Sequence, residues 1–278
     1  MPEQALDTNS QDSATRFAFG ANWQEFLALL DEDRIANAER SLKSFLDLND
    51  MRGKTFLDAG SGSGLFSLAA RRLGARVVSF DFDPLSVACT REMKRRYFCD
   101  DDAWTICQGS VLGAEFLAQL GTFDIVYSWG VLHHTGAMWR AMSNVHDRVA
   151  DGGQLFIALY NDQGTASRMW WTIKRAYVAS PRPLRGLLVV LCYARLWGPT
   201  TIKDILRFRP FATWRQRKID RGMSPHRDVV DWVGGFPFEV CKPEQVLDFY
   251  NPLGYRLIKL RTCAGGHGCN EYVFQQLK

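Results

Sequence analysis

Short apolar runs alternate with amphipathic segments between residues 54 and 161. Runs of this length, rich in β-branched and aromatic residues, are typical of buried strands, and the longer segments between them are typical of helices. Regular alternation of the two predicts a parallel sheet with helices on both faces. The five predicted strands cover residues 55–57, 76–80, 104–108, 123–128 and 154–159.

Helices are predicted on either side of this region and within it. Two N-terminal helices are expected over residues 22–30 and 33–48, a third from Pro84 with Asp83 as its cap, and a fourth over residues 138–149. Gly152 and Gly153 are expected to form the turn between that fourth helix and the fifth strand.

The alternation stops after the fifth strand and returns near the C-terminus. Residues 162–237 have no strand pattern and predict a helical, aromatic insertion. A helix over 243–251 and strands over 255–262 and 271–276 follow, the two strands forming an antiparallel hairpin. The predicted fold class is therefore an α/β, Rossmann-like, seven-stranded, mostly parallel sheet. The predicted organisation is a tail and helical segment (1–50), a core (51–161 and 238–278) and the insertion (162–237).

Charge is divided unevenly between these regions. Residues 162–227 hold 14 Lys and Arg against 3 Asp, so the rest of the chain holds 20 against 27, although the whole carries only +4. The N-terminus has neither a secretory nor a transit pattern, which predicts a cytoplasmic protein. Seven cysteines without a Cys-x-x-Cys pair argue against a disulfide framework and a metal site.

A glycine-rich turn follows the first predicted strand. Gly60, Gly62 and Gly64 stand two residues apart in DAGSGSG, whereas a dinucleotide fingerprint needs its third glycine at the position of Leu65. The spacing therefore argues against NAD. Asp58 lies two residues before the first glycine. A glycine turn of this kind leaves helix N-terminal amides close to a bound ligand.

With these residues the core resembles class I S-adenosylmethionine-dependent methyltransferases that act on small molecules, including ubiquinone-type O-methyltransferases. The resemblance implies S-adenosylmethionine as the cofactor, with the loop around its methionine part and Asp81 on the ribose hydroxyls. It places Phe82 beside the adenine, and Ser110 stands where the family commonly has an acid. The implied cofactor-binding residues are Asp58, Gly60, Ser61, Gly62, Gly64, Asp81, Phe82, Ser110, Ser128 and Trp129.

Candidate catalytic residues occur in two places. His133 and His134 follow the fourth strand, where ligands of parallel sheets bind, and either histidine could accept a proton or have a structural role. In the insertion, His226 with Asp228 or Asp231 could be a base and its orienting partner on an acceptor lid, or part of a solvated loop. Further candidates for contact with the acceptor are Tyr160, Asn161, Asp231, Trp232, Glu239, His267 and Asn270.

These observations predict transfer of a methyl group to an O or N atom of a small or medium-sized, anionic metabolite. Nucleic acid is a less favoured acceptor, because the fourth strand ends in Ser-Trp-Gly-Val and lacks an Asn-Pro-Pro-Tyr motif. A lipid-linked acceptor is the other alternative, since residues 184–197 are apolar with arginines near both ends and could contact a membrane peripherally. A buried lid helix is the preferred interpretation of that segment, and the oligomeric state is left open.

Overall fold

The computed structural model describes residues 30–209, 225–264 and 268–277, together with Leu27, Thr213 and Gly266; residues 225–228 are described by their backbone alone. The strands are β1 (Thr55–Ala59), β2 (Arg76–Asp81), β3 (Trp104–Gln108), β4 (Phe123–Trp129), β5 (Val149–Tyr160), β6 (Tyr255–Arg261) and β7 (Cys269–Gln276). The helices are α1 (Glu32–Leu46), α2 (Leu65–Arg72), α3 (Pro84–Tyr97), α4 (Ala114–Leu120), α5 (Met138–His146), α6 (Thr165–Ala179), α7 (Arg182–Leu206), α8 (Pro225–Gly234) and α9 (Pro243–Tyr250). Short 3₁₀ helices cover Leu132–His134 and Asn251–Leu253.

All seven strands form one sheet in the order β3-β2-β1-β4-β5-β7-β6. The first five strands are parallel, and β7 runs antiparallel between β5 and β6. The order reverses between β1 and β4, so their carboxyl ends border the crevice in which ligands of such sheets bind. The predicted fold class is confirmed, including the terminal hairpin.

Side-chain alternation along the central strand divides the core into two layers. Phe56 of β1 packs with α1 and α2 on one face, and its neighbour Leu57 packs with α5 on the other. Both side chains are fully buried, as are Ile35 of α1 and Met142 of α5. A central parallel strand with helices on both sides therefore reads as a continuous apolar run in the sequence.

The sequence also located several helix ends. Asp83 caps α3, its side chain accepting a hydrogen bond from the Leu85 amide at 2.9 Å, and Pro84 occupies the first turn, where its missing N–H costs nothing. Near the C-terminus Gly254 ends the second 3₁₀ helix with a φ of 82°, a conformation that favours glycine. The predicted cap at Asp83 is confirmed.

Two sequence predictions near β5 and β4 are wrong in detail. Gly152 and Gly153 do not separate a helix from a strand; they lie inside β5, where three residues more than the partner strand requires are accommodated as an irregularity beside β4. Helix α5 ends at His146, before the predicted residue 149. Helix α4 was not predicted at all. Of the N-terminal helix expected over 22–30, only Leu27 and Leu30 are among the described residues.

Helices α6, α7 and α8 follow β5 and enclose an apolar cluster of their own. Its buried members include Trp170 of α6, Trp197 of α7 and Val233 of α8. Pro199 lies inside α7 and does not end it. The expectation that residues 184–197 are a buried helix is only half right, since Leu187 and Leu191 of that helix are 54% and 57% exposed. Within the described ranges, none of the helices has the length and apolar character needed to cross a bilayer.

Candidate active site

The glycine loop connects β1 to α2 and contacts the turn after β4. Gly60 has a φ of 91°, and a Cβ added to it would lie 2.4 Å from a methyl carbon of Val131. The Gly60 and Ser61 amides donate to the Phe80 carbonyl at 2.9 and 3.0 Å, which ties the loop to the end of β2. A side chain at position 60 would therefore displace the β4 turn or reshape the loop.

The other side of the loop packs on α3. The Ser61 hydroxyl lies 2.9 Å from the Thr90 hydroxyl, and a Cβ on Gly64 would lie 2.9 Å from the Thr90 Cα atom. Gly64 has a φ of 81° and is the residue before the first turn of α2. Thr90 thus holds the loop against α3. The sequence did not indicate this role, because Thr90 lies in an ordinary amphipathic helix.

Asp81 lies at the carboxyl end of β2 with both carboxylate oxygens oriented by backbone amides. Oδ2 accepts from the Gly62 amide and Oδ1 from the Asp83 amide, each at 2.9 Å. Burial raises the pKa of Asp81 to about 6, against these two hydrogen bonds. Because each carboxylate oxygen has a second lone pair, the side chain still has acceptor capacity for a pair of hydroxyls.

Asp58 is buried beneath the loop, at the end of a directed chain of hydrogen bonds. The Trp104 indole N–H donates to Ser79 (2.9 Å), the Ser79 and Ser67 hydroxyls are 2.7 Å apart, and Ser67 donates to Asp58. Burial raises the pKa of Asp58 to about 7, and the negative charge of Asp81 acts in the same direction. The loop therefore has two carboxyl groups whose ionised forms a nearby cation would stabilise.

The predicted adenine side is formed by the ends of β2 and β3. The Phe82 side chain is 53% exposed, and its carbonyl accepts from Gln108 Nε2 at 3.3 Å. The Ser110 hydroxyl accepts from the Leu112 amide at 3.1 Å, which leaves its proton and a second lone pair for another partner. The structure thus places an apolar ring and a hydroxyl where the sequence expected them, and their contact with adenine stays a prediction.

Ser128 and Trp129 end β4 with opposite exposures. Ser128 is fully buried and donates to the Ala59 carbonyl at 2.8 Å, so its hydroxyl links β4 to β1 within the sheet. Trp129 is 44% exposed, and its indole N–H donates to Glu271 of β7 at 2.7 Å. Glu271 also accepts from Arg261, so this buried carboxylate links Trp129 of β4 to Arg261 of β6.

The two histidines differ in surroundings. His133 is fully buried and stacks on Tyr160, with ring centroids 3.9 Å apart, and burial holds its pKa well below the usual value. His134 is half-buried, and its Nδ1 atom lies 2.7 Å from the Pro237 carbonyl. Since a carbonyl can only accept, the proton is on Nδ1 and the lone pair on Nε2. Burial, with the nearby Lys174, lowers the pKa of His134 to about 3.

Lys174 of α6 is a fully buried cation beside this pair, and sequence reasoning treated it only as one of fourteen basic residues. Its Nζ atom donates to the Trp232 carbonyl and lies 4.4, 4.8 and 6.0 Å from the ring centroids of Trp232, Phe238 and Tyr160. Burial lowers the pKa of Lys174 to about 7. The residues three and four positions from Lys174 are apolar, and this was the signal in the sequence that the lysine lies on the buried side of its helix.

The remaining acceptor candidates are placed unevenly. Glu239 accepts from the Met138 amide at 3.0 and 3.1 Å and so caps α5. Asn161 and Asn270 bond to each other at 3.0 Å at the end of β5. The side chains of His226 and Asp228, and all of His267, lie outside the described residues, so those predictions stay untested.

A model of the methyltransferase-domain family matches residues 30–185, which is more than half of the chain. The chain belongs to this family. It is a class I S-adenosylmethionine-dependent methyltransferase, so the predicted class and cofactor are confirmed. The methyltransferase has the sheet order and the glycine loop from which the class was predicted.

Two sequence relatives of the methyltransferase differ in how much they align. A tRNA U34 carboxymethyltransferase of Enterobacter sp. (strain 638) is 32% identical over 111 residues, covering 40% of this chain. This alignment spans only 33% of that relative's length. The mitochondrial ubiquinone biosynthesis O-methyltransferase of Schizosaccharomyces pombe is 27% identical over 236 residues, covering 84% of this chain and 72% of the relative.

Among solved structures, magnesium protoporphyrin IX methyltransferase from Synechocystis PCC 6803 has the same fold. Its forms with bound SAM and bound SAH superpose with TM-scores of 0.50 and 0.51 at 10% and 12% identity. Each covers 87% of this chain, and the chain covers 79% and 82% of the two forms. At this identity the comparison establishes the fold alone.

The residues of the loop fit the cofactor on geometry. A Cβ on Gly60 would clash with the Val131 side chain, so the glycine lets the loop backbone lie against the β4 turn that borders the crevice. Asp81 offers a preorganised carboxylate two residues from the capped start of α3, and Phe82 offers an exposed ring beside it. The two raised carboxyl pKa values suit a cofactor that carries a positive sulfonium.

Proposed function

We propose that the methyltransferase transfers a methyl group to an O or N atom of a small or medium-sized, anionic metabolite bound between the β4 turn and helices α6 and α8. One observation carries the proposal. Gly60 of the cofactor loop contacts Val131, and the His134 amide three residues further on bonds to the Val131 carbonyl at 2.9 Å. The cofactor loop and the His134 ring are thus parts of one packed unit.

S-adenosylmethionine supplies an electrophilic methyl group, and the residues of the chain hold both reactants. Asp81 accepts from the ribose hydroxyls, and Phe82 packs against the adenine. His134 is neutral at physiological pH, with its lone pair on Nε2. A ring whose conjugate acid has so low a pKa retains a proton poorly, so His134 orients the acceptor by accepting its hydrogen bond. Most of the rate then comes from alignment of acceptor and methyl group.

The anionic character of the acceptor is supported by Lys174. Its positive charge lowers the pKa values of both His133 and His134, so its field extends to the acceptor side of the crevice. Burial keeps that field strong, because little water screens it. An acceptor that carries a negative charge is therefore favoured on this side of the crevice. The exposed arginines and lysines of the insertion give no such support.

An RNA acceptor is the second candidate, favoured by the tRNA-modifying relative. Its aligned segment covers 40% of this chain, which leaves most of the chain without counterpart in that match. Of the nine described cations in the insertion, seven are exposed and only Lys174 is buried beside the crevice. This distribution supports a metabolite in the crevice over a polyanion that follows it.

The test is transfer of a labelled methyl group from S-adenosylmethionine to fractionated extract. We expect label in an anionic small-molecule fraction, insensitive to ribonuclease. With that acceptor, His134→Gln should lower kcat about 10- to 100-fold with unchanged cofactor affinity. His146→Gln is the matched control, since this half-buried histidine bonds to Tyr255 at the far end of α5. Ribonuclease-sensitive label, or equal kcat for the two variants, would refute the proposal.

A further inference from the structure

Helix α7 has two apolar faces, and only one of them packs against other residues that the structure describes. Val189, Cys192 and Trp197 face the insertion cluster and are buried. On the other side Leu187, at 54% exposed, and Val190, at 63%, point away from it. One apolar stripe is enough to attach a helix to its domain, so the second stripe has a different use.

This second stripe, called here the outer face of α7, runs along most of the helix. Its positions follow each other at intervals of three or four residues, so they lie on one side. At 1.5 Å per residue the stripe is about 32 Å long. It consists of Leu184, Leu187, Leu191, Ala194, Gly198, Ile202 and Ile205, and the five large members are 44% to 60% exposed.

Cations accompany the outer face, and acids do not. Arg182, Arg195 and Lys203 are exposed along α7, and two further exposed arginines follow it closely. The helix has a single acid, Asp204, which is buried and accepts from both the amide and the hydroxyl of Thr213 at 2.8 Å. Along its length α7 therefore exposes aliphatic side chains and positive charges, with Arg195 beside the outer face and Arg182 and Lys203 further round the helix.

Arg185 is the exception among these cations, because it has a structural role. Its guanidinium donates to the carbonyls of Tyr177, Val178 and Ser180 at 2.8 to 3.1 Å, which closes the turn between α6 and α7. It is not counted in the outer face.

We propose that the outer face of α7 binds the surface of an anionic lipid bilayer, with the helix lying in the plane of the interface. Aliphatic side chains enter the acyl boundary while the flanking cations remain at the anionic head groups. The interaction goes beyond methyl transfer and does not depend on it. It would bring the acceptor side of the crevice close to a lipid-linked acceptor, because α7 packs directly on α6 and α8.

Two other occupants fit the face less well. A second copy in a two-fold dimer would place the same cations opposite each other, without exposed acids of α7 to pair with them. A nucleic acid would use the cations but would gain little from leucine, valine and isoleucine, which cannot stack on bases as aromatic rings do. A bilayer uses both the charge and the aliphatic surface.

The experiment is co-sedimentation of the full chain with phosphatidylcholine vesicles, with and without phosphatidylglycerol. We expect binding to the mixed vesicles and little to the neutral ones. The double variant Leu187→Glu/Leu191→Glu should bind at least about tenfold more weakly. Ile258→Glu, at a 40% exposed position of β6, adds the same kind of charge elsewhere and should bind normally.

A second variant separates charge from any effect on folding. Arg195→Ala/Lys203→Ala changes two exposed side chains, and each lost cation should weaken binding to mixed vesicles about fivefold. Absence of binding to mixed vesicles, or equal binding by the Leu187/Leu191 and Ile258 variants, would overturn the proposal. So would a dimer, measured by light scattering, that Leu187→Glu dissociates. Cofactor binding by the same samples separates this failure from failure of the proposed function.

Discussion

At the scale of single residues, the cofactor loop depends on two buried carboxyl groups that differ in partners. Asp58 accepts a hydrogen bond from the Ser67 hydroxyl, while Asp81 accepts hydrogen bonds from the Gly62 and Asp83 amides. Burial raises both pKa values, to about 7 and about 6, so two negative charges on this pair are unfavourable. We expect the positive sulfonium of the cofactor to favour their ionisation.

Gly60→Ala tests whether close packing at the loop has a functional purpose. Gly121→Ala is a matched control, because both glycines have a positive φ, of 91° and 80°, and only Gly60 has a neighbour where the Cβ would be placed. Both variants should lose about 1–2 kcal/mol of unfolding free energy from the backbone conformation. Gly60→Ala should in addition bind S-adenosylmethionine at least about tenfold more weakly. Calorimetric titration that finds equal affinities would contradict the proposed loop packing.

At the scale of elements, periodic patterns in the sequence predicted the strands. They did not predict the short helix α4, nor which face of α7 is buried. The strand patterns and the cap at Asp83 depend on local chemistry and were recognisable. Helix α4 has seven residues and one buried side chain, Leu117, so it has too few buried positions for a helical pattern to be recognised in the sequence. Periodicity shows that α7 is apolar, but it does not show which of its two apolar stripes is covered.

The candidate site was predictable to a similar extent. The loop glycines and Asp81 have fixed spacing from β1 and β2, which places them without knowledge of the rest of the fold. Lys174 comes from a helix after β5 and meets the β4 turn only in three dimensions. The same is true of Glu239, whose carboxylate caps a helix about 100 residues earlier in the chain. Contacts of this kind leave no local pattern.

Lys174 also makes the stability of the insertion depend on pH. Its folded-state pKa, about 7, is below its usual value of 10.5, so between these pH values the unfolded chain binds more protons. Stability therefore rises with pH across this window, by up to about 1.4 kcal/mol per unit. Relative to wild type, Lys174→Met should be more stable near pH 7 and should lose part of that advantage by pH 9, because the pKa of the unfolded-state lysine is 10.5.

Thermal unfolding from pH 6.5 to pH 9 measures this difference. Lys203→Met is the control, because Lys203 is exposed on the same insertion and its removal leaves no buried charge to relieve. A difference between wild type and Lys174→Met that stays constant over the range would show that Lys174 is not the buried titrating group.

At the scale of the whole molecule, the insertion has two surfaces with different surroundings, one facing the crevice and one facing outward. Its inner side brings Lys174 and Trp232 to the crevice beside Tyr160, and its outer side exposes the aliphatic and basic face of α7. The acidic remainder of the chain holds the cofactor loop. The charge division seen in the sequence thus separates the glycine loop from the insertion, to which we assign acceptor and bilayer contact.

The most direct test of this account is isothermal titration of the full chain with S-adenosylmethionine. Wild type should bind one equivalent, and Asp81→Ala should bind at least about 100-fold more weakly, because two hydrogen bonds to a charged carboxylate are lost. Asp83→Ala, which removes the neighbouring carboxylate that caps α3, should retain its affinity. No binding by wild type, or equal affinity for wild type and Asp81→Ala, would contradict the assignment of the cofactor site.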